Sequence, residues 1–491
     1  MPLPATLKIL TILLYAGSAS AHTPGGSIDN PRYDLETSKG PDAAAGGWMI
    51  NLGITGLRVR LEEDAPKSLT VGHVFPNSPA DGTIAVGDVI TGIDGRPFTV
   101  AHTFGYGMDA FGYEGPLMDF ANALESCQAT GASGTLALNF TRAGTAQQAT
   151  LAIGTDYGAY APTYPFKCAK TDRVLEELMA YIAERQLENG TWGNRQHLNA
   201  FAALALLASG DERYRPHTTR AARAFAERTA DTIDYRGYDC WTHSLYGIYL
   251  AEYYLATREA WVLPELEEIN RWMPKAQMAN GGWGHRPADR PGGNGYGAIN
   301  ILAMQCKAAW ALMKRCGLEI DEAGFKAAHE FTDRGTNQIG YVWYADGIGG
   351  EGYADMGRTG IAAIAHALTP EYPGYRAFAE RSARCIGTHS DTFSDTHGSP
   401  ILGMGWTALG AGADPASFRK LMDDNRWWFT LAQCREGTFY YQPNRDNNPQ
   451  DFEAAPRLSA SAATALILAM RDRRLAIMNL EALPRKEQQD P

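Results

Sequence analysis

The 491-residue chain is long enough for two or more domains, each able to bury a core without disulfide bonds. Its formal net charge of −11 at pH 7, with no cluster of basic residues, argues against a nucleic acid as partner. No stretch beyond the N-terminal residues is long and apolar enough to span a bilayer, so we expect the mature chain to be soluble.

Residues 1–21 have the composition of a secretory signal peptide. Lys8 precedes the apolar run 9–15, and the small residues 18–21 form a cleavage site, so His22 is the expected mature N-terminus. The sequence therefore predicts a periplasmic or secreted protein; an N-terminal membrane anchor is the alternative. Residues 22–45, rich in Gly, Pro, Asp and Ala, are predicted to be a flexible lead-in.

Residues 46–155 have the pattern of a small mixed α/β domain. Strands are predicted at 57–61, 69–75 and 86–95, the last ending in an Asp-Gly hairpin signal, with a helix at 117–126 and a closing hairpin at 135–142 and 148–153. The order of these elements, with VFPNSPA at 74–80 followed by GDVI at 87–90, resembles a bacterial PDZ domain.

The PDZ resemblance implies a groove between the second strand and the long helix, where a peptide adds as a further strand. Glycines just before that strand allow consecutive N–H groups to converge on a carboxylate. Two occupants remain open: the C-terminus of a peptide or protein partner, or the chain itself, with the insert 101–115 as a cover. The residues assigned to peptide binding are Gly53, Ile54, Thr55, Gly56 and Leu57.

After a linker at 156–170, residues 171–480 contain an internal repeat. A Gln is followed four residues later by Gly, and two residues after that by an aromatic residue, in QLENGTW at 186–192, QMANGGW at 277–283 and QCREGTF at 433–439. A weaker copy, built on Gln338, Gly340 and Trp343, has altered spacing. In each copy, we expect Gly to end a helix, the aromatic ring to pack into the junction, and the Gln amide to reach free backbone groups.

Two kinds of helical pattern alternate along the same region, followed by a polar tail at 481–491. Runs that are apolar on nearly all sides and rich in Ala and Gly lie at 197–207, 243–253, 296–304, 358–368, 397–409 and 459–470. Amphipathic runs lie at 171–185, 218–229, 263–273, 319–334, 377–388 and 415–431. Because a helix that is apolar all round is buried, six of each predict an all-α (α/α)6 toroid whose inner helices begin at one mouth.

The Gln-x-x-x-Gly-x-Trp pattern resembles the repeat of squalene and oxidosqualene cyclases, and the helical alternation is similar to the toroids of terpenoid cyclases and protein prenyltransferases. The whole arrangement resembles a group of bacterial secreted proteins that join a PDZ-like domain to such a toroid and are catalogued as a domain of unknown function. This resemblance implies a multidomain fold but no reaction. Terpenoid cyclisation is a remote alternative, since the Asp-x-Asp-Asp run of alkene-protonating cyclases is absent.

Asp239 and His243 lie four residues apart at the start of the second inner helix. On one helix face they form an acid/base pair; the alternative is an N-cap Asp beside a structural His. With Cys240 they also offer three ligand types to zinc, but adjacent Asp and Cys side chains point apart, so we expect no cofactor and keep zinc as the alternative. His197 and His397 begin two other inner helices.

The glycine-rich loop 345–358 carries carboxylates, a Tyr and an Arg into the fourth inner helix. Its carboxylates have two explanations: they are electrostatically favoured near a helix N-terminus, or they act as general acid and base on a sugar or acyl substrate. In the second case, Arg358 binds a substrate carboxylate through a two-point contact. The predicted catalytic residues are His243, Asp239, His197, His397, Asp355, Glu351, Tyr353 and Arg358.

Two classes of function remain. The first is an exported hydrolase or polysaccharide lyase acting on a glycan or similar polymer at the toroid mouth; the second is a non-catalytic scaffold that binds peptides or proteins. An enzyme is expected to gather its polar residues in one concave pocket, whereas a scaffold would scatter them or use them as helix caps. Seven Cys permit disulfides without specifying the pairs.

Overall fold

A computed structural model describes residues 49–62, 64–102, 114–230, 238–288, 297–349, 353–394, 396, 400–435, 437–440, 442 and 456–480. The predicted signal peptide, the lead-in, Glu351, His397, the polar tail and most of the insert 101–115 lie outside these residues. No helix within the described ranges is both long and apolar enough to cross a membrane.

In its described residues, the N-terminal domain is an antiparallel sheet of seven strands with one α-helix, which confirms the predicted small mixed α/β domain; the short strands β1 and β5 were not predicted. Its sheet order is β1-β2-β3-β4-β6-β7, with β5 paired to β4 through a two-residue turn at Asp94 and Gly95, both of positive φ. The elements are β1 Ile50–Asn51, β2 Leu57–Arg60, β3 Leu69–Val74, β4 Val89–Ile93, β5 Arg96–Pro97, α1 Pro116–Gln128, β6 Thr135–Arg142 and β7 Thr145–Ala152.

The C-terminal domain alternates amphipathic and fully buried helices. The amphipathic ones are α2 Ala169–Glu184, α4 Arg215–Thr229, α6 Val262–Ala276, α8 Glu322–Arg334, α10 Tyr375–Thr388, and the pair α12 Pro415–Asp424 and α13 Arg426–Ala432. The buried ones are α3 Gln196–Ser209, α5 Asp239–Thr257, α7 Asn300–Arg315, α9 Gly357–Ala367, α11 Pro400–Ala411 and α14 Pro456–Leu468. The predicted helix 415–431 is thus two helices, which meet at Asn425.

The six buried helices form a closed inner ring. α3 packs on α5, α5 on α7, α7 on α9, α9 on α11, α11 on α14, and α14 returns to α3. The amphipathic helices α2, α4, α6, α8, α10 and α12 each pack against at least one inner helix next to them in sequence, whereas α13 packs against α1 of the N-terminal domain. The predicted (α/α)6 toroid with Ala/Gly-rich inner helices is therefore confirmed.

Glycines allow two inner helices to touch along their backbones. A Cβ on Gly360 of α9 would lie 2.1 Å from the carbonyl oxygen of Trp406, and one on Gly410 of α11 would lie 2.3 Å from that of Gly360. Beside this contact the rings of Phe201 and Trp406, both fully buried, meet edge to face at 4.9 Å. Small residues and aromatic rings thus fill the ring interior between α3, α9 and α11.

Two of the Gln-containing segments make the same set of bonds. Nε2 of Gln186 donates to the carbonyls of Gly190 (3.0 Å) and His217 (2.9 Å). Nε2 of Gln277 donates to the carbonyls of Gly281 (2.8 Å) and Gly324 (2.9 Å). Each amide therefore joins its own turn to the next outer helix, α4 or α8.

The turn glycines Gly190, Gly281, Gly340 and Gly437 have φ of +84°, +94°, +97° and +82°. A Cβ on Gly281 would lie 2.3 Å from a backbone oxygen of α8, so the turn and the next outer helix touch directly. If the fourth copy of the repeat is aligned on its turn glycine, Gly340, then Thr336 occupies the Gln position and Val342 occupies the aromatic position. Gln338 and Trp343, which the sequence pattern selected, are each displaced from those positions.

All seven Cys are buried and free of disulfides. Burial raises the pKa of the Cys316 thiol to about 12 and that of Cys385 to about 12. Inert, buried thiols of this kind act as small hydrophobic residues, which is how the fold uses them.

Candidate functional site

The N-terminal ends of the inner helices lie together at one face of the toroid. Each inner helix is followed by an outer helix that returns the chain, so all six inner helices begin on the same side. We call this face the mouth. It carries, among other residues, His197 of α3, Asp239 of α5, Asn300 of α7 and Asp355 before α9.

A buried ion pair anchors the loop in front of α9. Nη1 of Arg358 donates to Oδ2 of Asp355 at 2.5 Å, Nη2 donates to the hydroxyl of Tyr341 at 3.0 Å, and Nε donates to the carbonyl of Val342 at 3.3 Å. The two charged residues are only 6% and 5% exposed. All three guanidinium nitrogens thus bond within the protein. The two-point contact of Arg358 with a substrate carboxylate stays a prediction, and it would require some of these bonds to be replaced.

The backbone around this ion pair is held at several points. Asp355 has φ +52°, in the left-handed region. The hydroxyl of Tyr341 donates to the carbonyl of Ala354 at 2.9 Å, and Oγ1 of Thr359 accepts from the N–H of Val342 at 3.0 Å. Such constraints fix the direction in which Tyr353, two residues before Asp355, leaves the loop.

Four partly exposed rings lie around the anchored loop: Trp343, Tyr344, Tyr353 and His389. We call them the aromatic platform. The rings of Tyr353 and His389 stack at 3.5 Å between centroids and 14° between planes. The ring of buried Tyr341 lies edge-on to that of Tyr353 (5.4 Å) and 6.2 Å from that of Trp343. The four rings are thus partly buried around one base, and Tyr353 and His389 each cover one face of the other.

Asn300, which the sequence analysis did not select, orients part of the platform. Its Nδ2 donates to the carbonyls of Trp343 (3.0 Å) and Ala345 (2.8 Å), and its backbone N–H donates to the carbonyl of Tyr344 (2.9 Å). Oδ1 accepts from Oγ1 of Thr332 at 2.8 Å. The signal in the sequence that could have identified Asn300 is a polar residue at the first position of a helix that continues with apolar residues.

His243 lies in the wall of the toroid. Its ring stacks on Trp272 of the outer helix α6 at 3.7 Å and 11°, and it is 1% exposed. Nδ1 lies 2.9 Å from the backbone carbonyl oxygen of Asp239. Because a carbonyl can only accept, Nδ1 carries the proton. The imidazole thus contacts the Asp239 backbone and the ring of Trp272 on α6. The acid/base pair of Asp239 and His243 stays a prediction.

A second group of rings occupies the neighbouring part of the mouth. Nε1 of Trp241 donates to Nδ1 of His285 at 2.8 Å, and the ring of Tyr238, 59% exposed, lies 5.2 Å from that of His285. These residues come from the start of α5 and from the turn before α7. Aromatic rings therefore lie at the start of α5 and in the turn before α7, in addition to the platform before α9.

The contacts place the predicted catalytic residues in separate parts of the mouth. Asp239 and His243 belong to α5, whereas Tyr353, Asp355 and Arg358 lie at α9, on the other side of α7. His197, 7% exposed, is at the start of α3. Among the described residues, no group of three or more His, Cys, Asp and Glu side chains could hold a metal ion.

The loop predicted to bind a peptide carboxylate is buried and closed on itself. Gly53–Thr55 form a 3-10 turn, the N–H of Leu57 donates to Oγ1 of Thr55 at 3.2 Å, and the N–H of Gly56 to the carbonyl of Gly53 at 3.4 Å. The outer edge of β2 is paired with β1 at Val59 and Arg58. Two N–H groups expected to converge on a ligand are therefore used inside the loop.

Comparisons with known proteins follow the same division of the chain. The family model described as "Domain of unknown function (DUF6288)" matches residues 171–478, and that of the PDZ domain matches residues 49–103. Comparison with curated proteins finds no match. Among solved structures, the chain is similar to the GH76A alpha-1,6-mannanase from Salegentibacter sp. HEL1_6, with 14% identity over 60% of this chain and 98% of that chain and a TM-score of 0.44.

Two further solved structures are similar at the same level. The GH76 alpha-mannanase of Bacteroides thetaiotaomicron is 10% identical over 64% of this chain and 98% of that chain, with a TM-score of 0.46. The type II terpene cyclase MstE from Scytonema is 13% identical over 61% of this chain and 97% of that chain, with a TM-score of 0.41.

Proposed function

Since this chain belongs to the family described as Domain of unknown function (DUF6288), we propose its function from the mouth of its own toroid. The protein is an exported, glycan-acting enzyme of hydrolase or polysaccharide-lyase type. The observation that carries this proposal is the aromatic platform on its buried base, the Asp355–Arg358 pair.

Flat, half-exposed rings suit a sugar because a pyranose has apolar C–H faces and a polar rim. The faces stack on aromatic rings, while the hydroxyls bond to neighbouring polar groups. The second group, Tyr238, Trp241 and His285, lies at the start of α5 and in the turn before α7. Aromatic rings at two places on the mouth favour a polymer of several units over a single sugar.

Tyr353 is the residue best placed for proton transfer. It is half-buried, its ring is clamped by His389, and its backbone is fixed by the bond from Oγ1 of Thr392 (2.8 Å). In a lyase, a base removes the proton beside a carboxylate, the bond to the glycosidic oxygen breaks, and that oxygen takes up a proton; a positioned Tyr can remove the first proton and return it to the leaving oxygen. A hydrolase instead needs two carboxyl groups, for which Asp239, Asp355 and Glu351, the last outside the described residues, are the predicted candidates.

The first experiment measures binding by affinity electrophoresis of the purified protein through gels that contain neutral or acidic polysaccharides. We expect Trp343→Ala and Trp241→Ala to abolish retardation by the polysaccharide that retards the parent protein. Trp261→Ala is the matched control, because this half-buried Trp lies at the opposite end of α5. Equal losses in all three variants, or no retardation by any polysaccharide, would contradict the proposal.

Products distinguish the two reactions. A hydrolase adds water and releases saturated sugars with new reducing ends, whereas a lyase releases an unsaturated sugar that absorbs ultraviolet light. Tyr353→Phe should abolish a lyase product while leaving polysaccharide binding intact, because only the hydroxyl is removed.

A non-catalytic binding protein is the second candidate function. The observation that favours it is the use of His243 and Arg358 in contacts with the protein itself. Retardation by a polysaccharide without any product under the same conditions would select this candidate.

A further inference from the structure

We infer that the PDZ-like domain holds a segment of the toroid, described at residues 430–435, 437–440 and 442, as its own ligand, and that this contact fixes the entrance to the sixth inner helix, α14. This role of the PDZ-like domain does not depend on the substrate of the mouth.

The sheet edge is completed by a toroid side chain. β1 covers the outer edge of β2, and Asn51 is the last residue of β1. The backbone N–H of Asn51 donates to Oε1 of Gln442 at 2.9 Å, and its carbonyl accepts from Nε2 of Gln442 at 3.0 Å. The carboxamide of Gln442 therefore makes the pair of bonds that the C=O and N–H of one residue in an added antiparallel strand would make.

The ligand loop is covered by α13. Nδ2 of Asn51 donates to the carbonyl of Leu431 at 2.7 Å. Gly53 packs so closely that a Cβ there would lie 2.8 Å from the carbonyl oxygen of Thr430. Oγ1 of Thr430 in turn donates to Oε1 of Glu125 on α1 at 3.0 Å. The loop and the helix of the predicted peptide groove, and the strand β1 that covers its β2 edge, thus all contact the same stretch of the toroid.

Glu125 ties this contact to the linker. Its carboxylate is paired with the buried ammonium of Lys170 on α2 and accepts from the N–H of Tyr160 at 2.7 Å. Lys170 is 1% exposed, so the charge of each partner is compensated only inside the interface. Separating the domains would leave both charges without their partners, which favours a permanent contact.

A buried path leads from the PDZ-like domain to the mouth. The guanidinium of Arg58 lies 3.8 Å from the ring centre of Tyr440, and the guanidinium of Arg457, on α14, lies 5.6 Å from the same centre. Nη1 of Arg457 donates to Oγ1 of Thr438 at 2.8 Å. Arg58, Tyr440 and Arg457 are each at most 1% exposed. Tyr440 therefore sits between a strand of one domain and the mouth end of an inner helix of the other.

The experiment compares two Gln→Glu variants of the full chain by hydrogen exchange with mass spectrometry. Gln442→Glu keeps the shape of the side chain but places an oxygen against the carbonyl of Asn51. Gln148→Glu makes the same change at an exposed site on β7, the opposite edge of the sheet. For Gln442→Glu, we expect exchange to become at least about tenfold faster both in residues 50–59 and in residues 456–461, as for loss of a buried hydrogen bond.

Gln148→Glu should leave the exchange rates of residues 50–59 and 456–461 at the parent values. Faster exchange confined to residues 438–442, or an equal effect of the two variants, would overturn the inference. If Gln442→Glu accelerates exchange throughout the chain, Arg58→Lys replaces it, because Lys retains the charge but loses the planar contact with Tyr440. Arg58→Lys should then accelerate hydrogen exchange in residues 456–461, while exchange in residues 322–334, on the far outer helix α8, keeps the parent rate. An equal acceleration of exchange in both segments would refute the coupling.

Occupancy of the edge is tested with a fluorescein-labelled synthetic peptide of residues 426–442. The parent protein should not bind it, because its own segment fills the site, whereas Gln442→Glu should bind it at least about tenfold more tightly. Equal binding of the peptide to the parent and the variant would show that the edge is open and the inference wrong.

Discussion

Replacing Arg358 by Met should destabilise the protein strongly, and a second substitution, Asp355→Asn, should reverse most of that loss. Arg358→Met alone leaves the carboxylate of Asp355, 5% exposed, without its guanidinium partner. Breaking a buried pair by removing one partner costs about 3–5 kcal/mol, mainly from the uncompensated charge. In the double variant the neutral amide needs no counter-charge, so the remaining cost is the loss of the bonds to Tyr341 and Val342, about 1–2 kcal/mol.

The measurement is the free energy of unfolding from urea titrations of the parent, both single variants and the double variant. The double variant is expected to be more stable than Arg358→Met by about 2–3 kcal/mol, the difference between the cost of about 3–5 kcal/mol for the single variant and about 1–2 kcal/mol for the double variant. A double variant that is as unstable as the sum of the singles would refute the argument that the charge of Asp355 is the source of the cost.

The same variants separate a positioning residue from a substrate-binding residue. If Arg358 only positions the loop, the double variant should retain the polysaccharide retardation of the parent, because the aromatic platform remains in place. A double variant that regains stability but loses all retardation would instead show that Arg358 binds the substrate directly.

Three further predictions concern the rest of the molecule. Burial raises the pKa of Glu252 to about 7 from 4.5. Between about pH 4.5 and 7, the folded protein therefore holds a proton that the unfolded chain has lost. Because of this difference, the free energy of unfolding falls as pH rises through that range. Glu252→Gln should flatten that part of a profile of Tm against pH. Gly281→Ala should cost at least about 2 kcal/mol more than Gly317→Ala in urea titrations, because both positions have positive φ but a Cβ is blocked only at Gly281. Without reductant, titration with a thiol reagent should find seven free thiols in denaturant and almost none in the native protein; fewer than seven would reveal a disulfide.

The fold could be predicted because its signals are local. Inner helices are apolar on all sides and outer helices on one side, so the order of layers is recorded in the periodicity of each segment. The PDZ-like domain likewise carries a short run of turn and strand residues in fixed order. Burial on one or all sides of a helix leaves a pattern within about ten residues, which is why six pairs of helices could be counted from the sequence.

The site could be predicted only in part. The loop before α9 was identified from its composition, and the structure gives Asp355, Tyr353 and Arg358 a common location. The direction of His243 was not predictable, since an imidazole at the start of a buried helix faces either the lumen or the outer layer. Trp272, thirty residues away in the sequence, decides it by stacking.

By itself, the sequence determined that a small sheet domain precedes a double ring of helices whose inner members start at one mouth. Only the tertiary structure decided that Asn51 meets Gln442, that Arg58 lies against Tyr440, and that Asn300 holds the backbone of the aromatic platform. Hydrophobic periodicity reports whether a residue is buried, but not against which distant residue. A hydrogen bond between residues 391 positions apart exists only after both domains have folded and come into contact.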